Sequence, residues 1–329
     1  MSPEDGERRL SITVVGSVAL DTVYTPFGQA QDALGGSASY FATAASLYDD
    51  VNLVGVVGED FPQEHLSFLR TRSAGLGSLQ VAPGKTFRWG GRYAPDMNTR
   101  ETLYTELGVF AEFQPSLPVA YGRADVVFLA NIHPALQLDV LQQTEGGGAK
   151  LRALDTMNLW IETTHDALTE VLRKVDVVMI AEEEARQYAD TPNLRTAART
   201  ILELGPKILV IKQGPYGSLL MGADGSYFVA PSYPIEEVRD PTGAGDAFAG
   251  GFLGYLATRL RSGHELAPAD YQRGLVHGNI LGSFACEDFS VGKLKEVTAA
   301  DIAGRYQKCV SFTHFEAAWS AGKSTAATA

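Results

Sequence analysis

The sequence predicts an α/β protein: a mainly parallel central sheet with helices on both faces, and a small β lid. Three observations carry this. Through the first two-thirds of the 329 residues, short runs rich in Val, Ile and Leu alternate with segments of helical periodicity. Two stretches, 21–34 and 85–107, break that rhythm with alternating aromatic, Thr, Gly and Pro residues. Beyond Gly243 the pattern turns almost wholly helical. Near-continuous aliphatic strands separated by helices indicate a parallel sheet buried on both sides.

Strands are expected at 11–20 (SITVVGSVAL), 51–58, 124–131, 151–156, 176–182 and 207–214 (KILVIKQG). Helical spacing marks 37–48, 61–73, 163–174, 183–190 and 194–204, then 244–261, 268–286 and 298–317. The two irregular stretches read as antiparallel strands drawn from separate places in the chain. Together they form a lid over the carboxyl edge of the sheet, where open α/β sheets bind ligands. No shift in composition marks a linker. The expectation is one domain over 1–317 with the lid segments inserted, and a disordered tail over 318–329.

A formal net charge of −12 with no Lys/Arg run argues against nucleic acid or an anionic membrane as partner. Small anions need only a local pocket and stay open. No apolar run approaches the ~18–20 residues of a membrane helix. The start MSPEDGERR is polar and acidic, unlike a signal peptide, so a soluble cytoplasmic protein is expected. Cys286 and Cys309 lie in no metal or redox spacing and read as reduced cysteines in or near helices. None of the six histidines pairs at metal spacing or lies near a serine in a triad-like arrangement.

The densest chemical signal is DPTGAGDAFAGG at 240–251. Pro241 to Gly243 turn the chain into a helix whose apolar stripe is Phe248, Phe252, Leu253, Leu256 and Leu260. The amides of Gly243, Ala244 and Gly245 stand at its positive end without intrahelical partners, an anion site suited to a transferring phosphoryl group. Gly250, Gly251 and Gly254 inside the helix each cost about 0.5–1 kcal/mol relative to alanine, which close approach of backbone or ligand would offset. On spacing alone Asp246 is either a helix cap or a general base that takes the proton of an acceptor hydroxyl.

This segment resembles the Asp-x-x-Gly-Ala-Gly-Asp signature of the ribokinase (PfkB) family of carbohydrate and nucleoside kinases, and the likeness extends over nearly the whole chain. It implies a ribokinase-like three-layer α/β/α sandwich with Asp246 as base and the Gly243–Gly245 amides as anion hole. VVGSVALD resembles the family's first strand and places Asp21 on substrate hydroxyls. ALGGSASYFATAASL resembles its Gly-Gly motif, with Gly35 and Gly36 against the substrate. IKQGPYGSLL is similar to the loop bordering ATP, with Lys212, Gly214 and Gly217, and HGNILGSFACE to the helix along adenine, with Asn279 and Gly282. Mg²⁺ organised by Glu184 through water is implied as well. So are K⁺ near Asp240, Thr242 and Ala285 and a homodimer clasped through the lid.

Two departures stand out. Tyr40 occupies the place of the Gly-Gly motif's usual asparagine; this resembles inositol-kinase-like members, and the ring either stacks on substrate or packs in the core. Ala181 replaces the asparagine of the family's Asn-x-x-Glu motif, leaving Glu184, with Glu182 and Glu183 as a solvated helical turn or as compensation. Asp155 and Asn158, at a strand's carboxyl end, bind substrate or water, or cap the following turn. Arg88, Arg92 and Arg100 in the lid either touch substrate or phosphate or stay solvated. The expected activity is ATP-dependent phosphorylation of a small sugar or polyol hydroxyl, with a nucleoside kinase as alternative. A catalytically inactive sugar- or nucleotide-binding regulator is the alternative of another class. A dinucleotide oxidoreductase is excluded because VVGSVALD lacks the Gly-x-Gly-x-x-Gly turn.

Overall fold

The computed structural model describes residues 12–314; the proposed tail at 318–329 lies outside them. The strands in chain order are β1 (Ile12–Val15), β2 (Ala19–Thr25), β3 (Gly28–Gly35), β4 (Val51–Gly58), β5 (Gly75–Ala82), β6 (Arg88–Tyr93), β7 (Arg100–Glu106), β8 (Val126–Leu129), β9 (Leu151–Asp155), β10 (Val177–Ala181), β11 (Ile208–Lys212), β12 (Ser218–Gly222) and β13 (Tyr227–Ala230). The helices are α1 (Ser37–Ala45), α2 (Gln63–Arg72), α3 (Val119–Gly122), α4 (Pro134–Gln143), α5 (Asn158–Thr163), α6 (His165–Leu172), α7 (Glu182–Tyr188), α8 (Leu194–Leu202), α9 (Ala244–Arg261), α10 (Pro268–Ala285), α11 (Gly292–Glu296) and α12 (Ala299–Thr313).

Nine strands form the main sheet in the order β13-β12-β11-β10-β9-β8-β1-β4-β5, parallel except at β12 and β13. Alternate residues on each strand divide between two cores, as a period of two requires. Val14, Phe128, Met179 and Val210 face one core, packed under α1, α9 and α10; Val15, Leu129, Ile180 and Ile211 face the other, under α4, α6, α7 and α8. This is the three-layer α/β/α sandwich, and it explains why the central strands are aliphatic at most positions.

The glycines inside α9 are explained by packing. A methyl on Gly250 would stand 2.7 Å from the Phe41 carbonyl oxygen of α1, and one on Gly251 2.6 Å from the His277 carbonyl oxygen of α10. The helix touches its neighbours backbone to backbone on two sides, so its N-terminus is fixed against both.

One expected element is corrected. The run 11–20 is not one strand: β1 ends at Val15, and after Gly16–Val18 the chain enters a different sheet as β2. A Cβ on Gly16 would meet Ala130 Cβ at 2.7 Å, so the chain leaves the core sheet where side chains cannot fit. The second sheet, β3-β2-β6-β7, is drawn from the two irregular segments and forms the lid. Its hairpin tip, Asp96 to Asn98, reaches the Gly214 loop of the main sheet.

Candidate active site

The centre is built on the start of α9. Pro241 to Ala244 make a type II turn, with Ala244 N–H donating to the Pro241 carbonyl at 3.2 Å and Gly243 at φ 74°. Gly243 has a second reason to lack a side chain: a Cβ there would lie 2.3 Å from the Tyr40 ring beneath it. The turn alters the expected trio of donors. Ala244 N–H is engaged by the turn, whereas the amides of Gly243 and Gly245 have no backbone partner among the described residues. They remain as the donors of a helix N-terminus.

Asp246 follows in the first turn of α9. Burial, and then the charge of Asp155, push its carboxyl up to about 7, while Lys212 opposes the shift. Lys212 stands at the carboxyl end of β11 and is 18% exposed. Its Nζ lies 2.6 and 2.9 Å from the two oxygens of Asp155, at the end of β9. It also lies 3.3 Å from where a Gly245 Cβ would be. Burial works against the ammonium, yet Asp155 and Glu184 outweigh it and hold Lys212 charged. One cation is thus poised beside the free amides, where charge develops in phosphoryl transfer.

Opposite, on lid strand β2, Asp21 is buried and accepts a hydrogen bond from the Gly36 amide. Burial and the nearby Asp240 push it up to about 8, with Asp246 adding to the rise. Gly35 leaves the space that Asp21 fills, since a Cβ would sit 2.0 Å from its carboxylate. Gly36 at φ 89° turns the chain into α1, where a Cβ would meet the Ser17 carbonyl at 2.5 Å. Asp21, Gly35, Gly36 and Asp246 are therefore brought together. Tyr40 is not at that surface: it is 1% exposed, underneath Gly243. Its ring supports the glycine turn, so stacking on substrate is ruled out by its position. Its hydroxyl has no partner among the described residues.

On the other side of Gly245 a cavity of about 470 Å³ is lined by Lys212, Gly214, Gly217, Asn279 and Gly282. Asn279 stands in the wall of this cavity, 8% exposed. Its amide donates to the carbonyls of Ala230 and Pro231 and accepts from Ser218 Oγ, so its polar atoms are spent on the cavity wall. A larger open depression of about 1100 Å³ lies along α8 and β12. It contains neither Asp246 nor the glycine turn, so size alone does not mark the centre.

Asn158, at the exposed start of α5, supplies its backbone amide to Glu184. The Glu184 carboxylate also accepts from Ala181 N–H at 2.9 Å, closing the first turn of α7. Burial raises its pKa. Glu182 pairs with Arg186 and Gln213 and so faces away from that role. No group of three or more His, Cys, Asp or Glu converges among the described residues. Asp240 is buried and accepts from the amides of Thr242 at 2.9 Å and Ser290 at 3.3 Å, with Ala285 buried nearby at the end of α10. Burial raises its pKa, so a cation beside it would restore the charged form.

The sequence did not single out Trp89 and Tyr93, two lid residues on the same face as Asp21; Arg100, offered as a substrate or phosphate contact or a solvated charge, shares that face. The Tyr93 hydroxyl accepts from Thr242 Oγ1 at 3.3 Å, linking lid to glycine turn. The signal available was the register of β6, whose odd positions are aromatic or glycine.

A glycine-capped helix, a carboxylate beside it, an opposed acid on a lid and an adjoining cavity define a small-molecule kinase of the α/β sandwich class. The family model for pfkB family carbohydrate kinases matches residues 10–294, and the chain belongs to that family. A cytidine kinase of Thermococcus kodakarensis is 35% identical over 255 residues, 76% of this chain and 90% of the relative. A 2-dehydro-3-deoxygluconokinase of Thermoproteus tenax is 29% identical over 236 residues, 66% of this chain and 71% of the relative. An Escherichia coli structure described as a putative ribokinase II in complex with ATP and Mg²⁺ superposes with a TM-score of 0.72 at 18% identity, covering 91% of this chain and 99% of that one. The protein is a sugar or nucleoside kinase with the ribokinase-like fold. No helix among the described residues is long and apolar enough to cross a membrane.

Proposed function

We propose that this protein transfers the γ-phosphoryl group of ATP to a ribose hydroxyl of a nucleoside. The observation that carries the reading is the meeting of Asp246, Lys212 and the unpartnered Gly243 and Gly245 amides at one helix start. ATP would lie in the 470 Å³ cavity with its γ-phosphate at those amides. Asp21 and the Gly36 turn hold the acceptor so that one hydroxyl points at Asp246. Asp246 takes the hydroxyl proton as the oxygen attacks phosphorus. The bond from phosphorus to the β–γ bridging oxygen breaks, leaving ADP and a phosphomonoester. Mg²⁺, supported through water by Glu184, would neutralise the phosphate oxygens. K⁺ at Asp240, Thr242 and Ala285 would offset the carboxylate behind the turn.

The sequence alone favoured a free sugar or polyol. The 35% identity to a cytidine kinase supports a nucleoside instead, and the similarity to a 2-dehydro-3-deoxygluconokinase keeps a sugar acid as the second reading. ADP release would be measured with Mg-ATP and K⁺ across cytidine, uridine, adenosine, inosine, ribose, myo-inositol and 2-dehydro-3-deoxygluconate. Turnover on a nucleoside, lost by about three orders of magnitude or more in Asp246→Asn with ligand binding retained, is the expected result. Turnover confined to a free sugar refutes the nucleoside. Full activity in Asp246→Asn refutes the base.

A further inference from the structure

We infer that Trp89 and Arg100 form a stacking platform for the base of the nucleoside acceptor, an inference that rests on the nucleoside reading above. The argument begins with register. Trp89 of β6 pairs with Asp21 of β2 in the parallel ladder, so the two side chains leave the lid on one face. Two positions on, a Cβ at Gly91 would lie 2.1 Å from the Trp89 ring, so the indole lies along the strand over a residue that has no side chain. Tyr93 follows on the same face and touches Thr242 of the glycine turn. This face therefore looks into the cleft. Arg100 pairs with Tyr93 across β6 and β7, hydrogen-bonds the Tyr93 hydroxyl, and holds its guanidinium carbon 5.3 Å from the centre of the Trp89 ring.

The result is a flat, cationic and aromatic surface one strand away from Asp21. Trp89 is half-buried and Arg100 exposed, so the surface is open to a ligand. A free sugar can lay only its small C–H face on such an area. A nucleobase is a plane of matching shape, and bases stack on indole and guanidinium planes alike. With the ribose held by Asp21, the base would extend along β6 onto Trp89. Gly91 is then explained as the residue that lets the indole lie flat, and Tyr93 as the brace that fixes Arg100.

The test is steady-state kinetics of Trp89→Ala, Trp89→Phe and Trp89→Leu with cytidine, uridine and adenosine. Retained ADP binding in each variant serves as a measure of folding. Trp89→Ala is expected to raise KM for the preferred nucleoside roughly 10- to 100-fold, the worth of one stacked base, with kcat changed only a few-fold. Trp89→Phe should recover most of the loss. Trp89→Leu, which keeps bulk without an aromatic plane, should not, and it decides the matter if the alanine variant unfolds. Nucleoside turnover with KM unmoved in both Ala and Leu variants overturns the platform while leaving the nucleoside reading intact. Turnover by the unmutated enzyme on sugars alone overturns both.

Discussion

Asp246 should set the acid limb of the pH profile, and its neighbours should move that limb in opposite directions. With its pKa at about 7, kcat/KM, which reports the free enzyme, should fall about tenfold for each pH unit below 7, any change centred near pH 8 belonging to Asp21. An ordinary aspartate would give a flat profile over the same range, since its pKa lies near 3.9. Burial is the first cause of the rise, the Asp155 charge the second, and Lys212 pulls the other way. Asp155→Asn removes the repulsion and also releases Lys212 from its 2.6 Å partner, so both effects lower the Asp246 pKa. The limb should move to lower pH by about one unit, equivalent to about 1.4 kcal/mol. Lys212→Met removes the attraction and should move the limb upward, with a lower plateau because the phosphate loses a cation. The assay is coupled ADP release from about pH 5 to 9 at subsaturating acceptor. Limbs that shift the same way in both variants, or a limb that persists in Asp246→Asn, would refute the reasoning.

Other outcomes follow from the same geometry. Asp21 and Asp246 have folded-state pKa values of about 8 and 7, raised by burial, so the stability they contribute is present at acid pH and lost as pH rises through those values. Asp21→Asn and Asp246→Asn should therefore stabilise the ligand-free protein most at pH 8, by about 4–5 kcal/mol each, by about 1.5 kcal/mol at pH 5 and little below pH 4, read by urea denaturation. Gly243→Ala combines a positive φ with a 2.3 Å approach to Tyr40 and should cost about 2–5 kcal/mol and most activity. Ala181→Asn, restoring an amide beside Glu184, should lower the Mg²⁺ concentration needed for half-maximal rate; an unchanged Mg²⁺ titration argues against Glu184 in that role. Replacing K⁺ by choline should slow the wild-type enzyme and leave Asp240→Asn unaffected.

Much of this architecture was legible before any coordinates. Strands buried on both faces are apolar at most positions rather than at alternate ones, so β4, β8, β10 and β11 stood out. The glycine turn was visible because it needs residues without side chains at fixed offsets. The lid segments were visible as departures from the βα rhythm. What stayed hidden depended on contacts distant in sequence. The largely apolar run 11–20 gave no sign that Gly16 moves the chain into a second sheet, because that break is imposed by Ala130 and Ser37 from other elements. Tyr40 looked the same whether it faced substrate or the underside of Gly243, 203 positions away. The sequence also held no sign of the hydrogen bonds of Asn279 to Ser218, Ala230 and Pro231, which are set by β12 and β13. Strand β5 carries only partial burial and no aliphatic run, which is why an edge strand escaped notice.

The passage from β1 into β2 puts the proposed hold on the acceptor on the part that covers it. Asp21 is on the lid, while Asp246, Lys212 and the free amides belong to the core. On the proposed mechanism an acceptor that engages Asp21 would bind the cover and the core at once. A molecule with a suitable hydroxyl but a poor hold on Asp21 would bridge the two less firmly. Selection among acceptors would then operate through how well each ties lid to core as well as through contacts at Asp246.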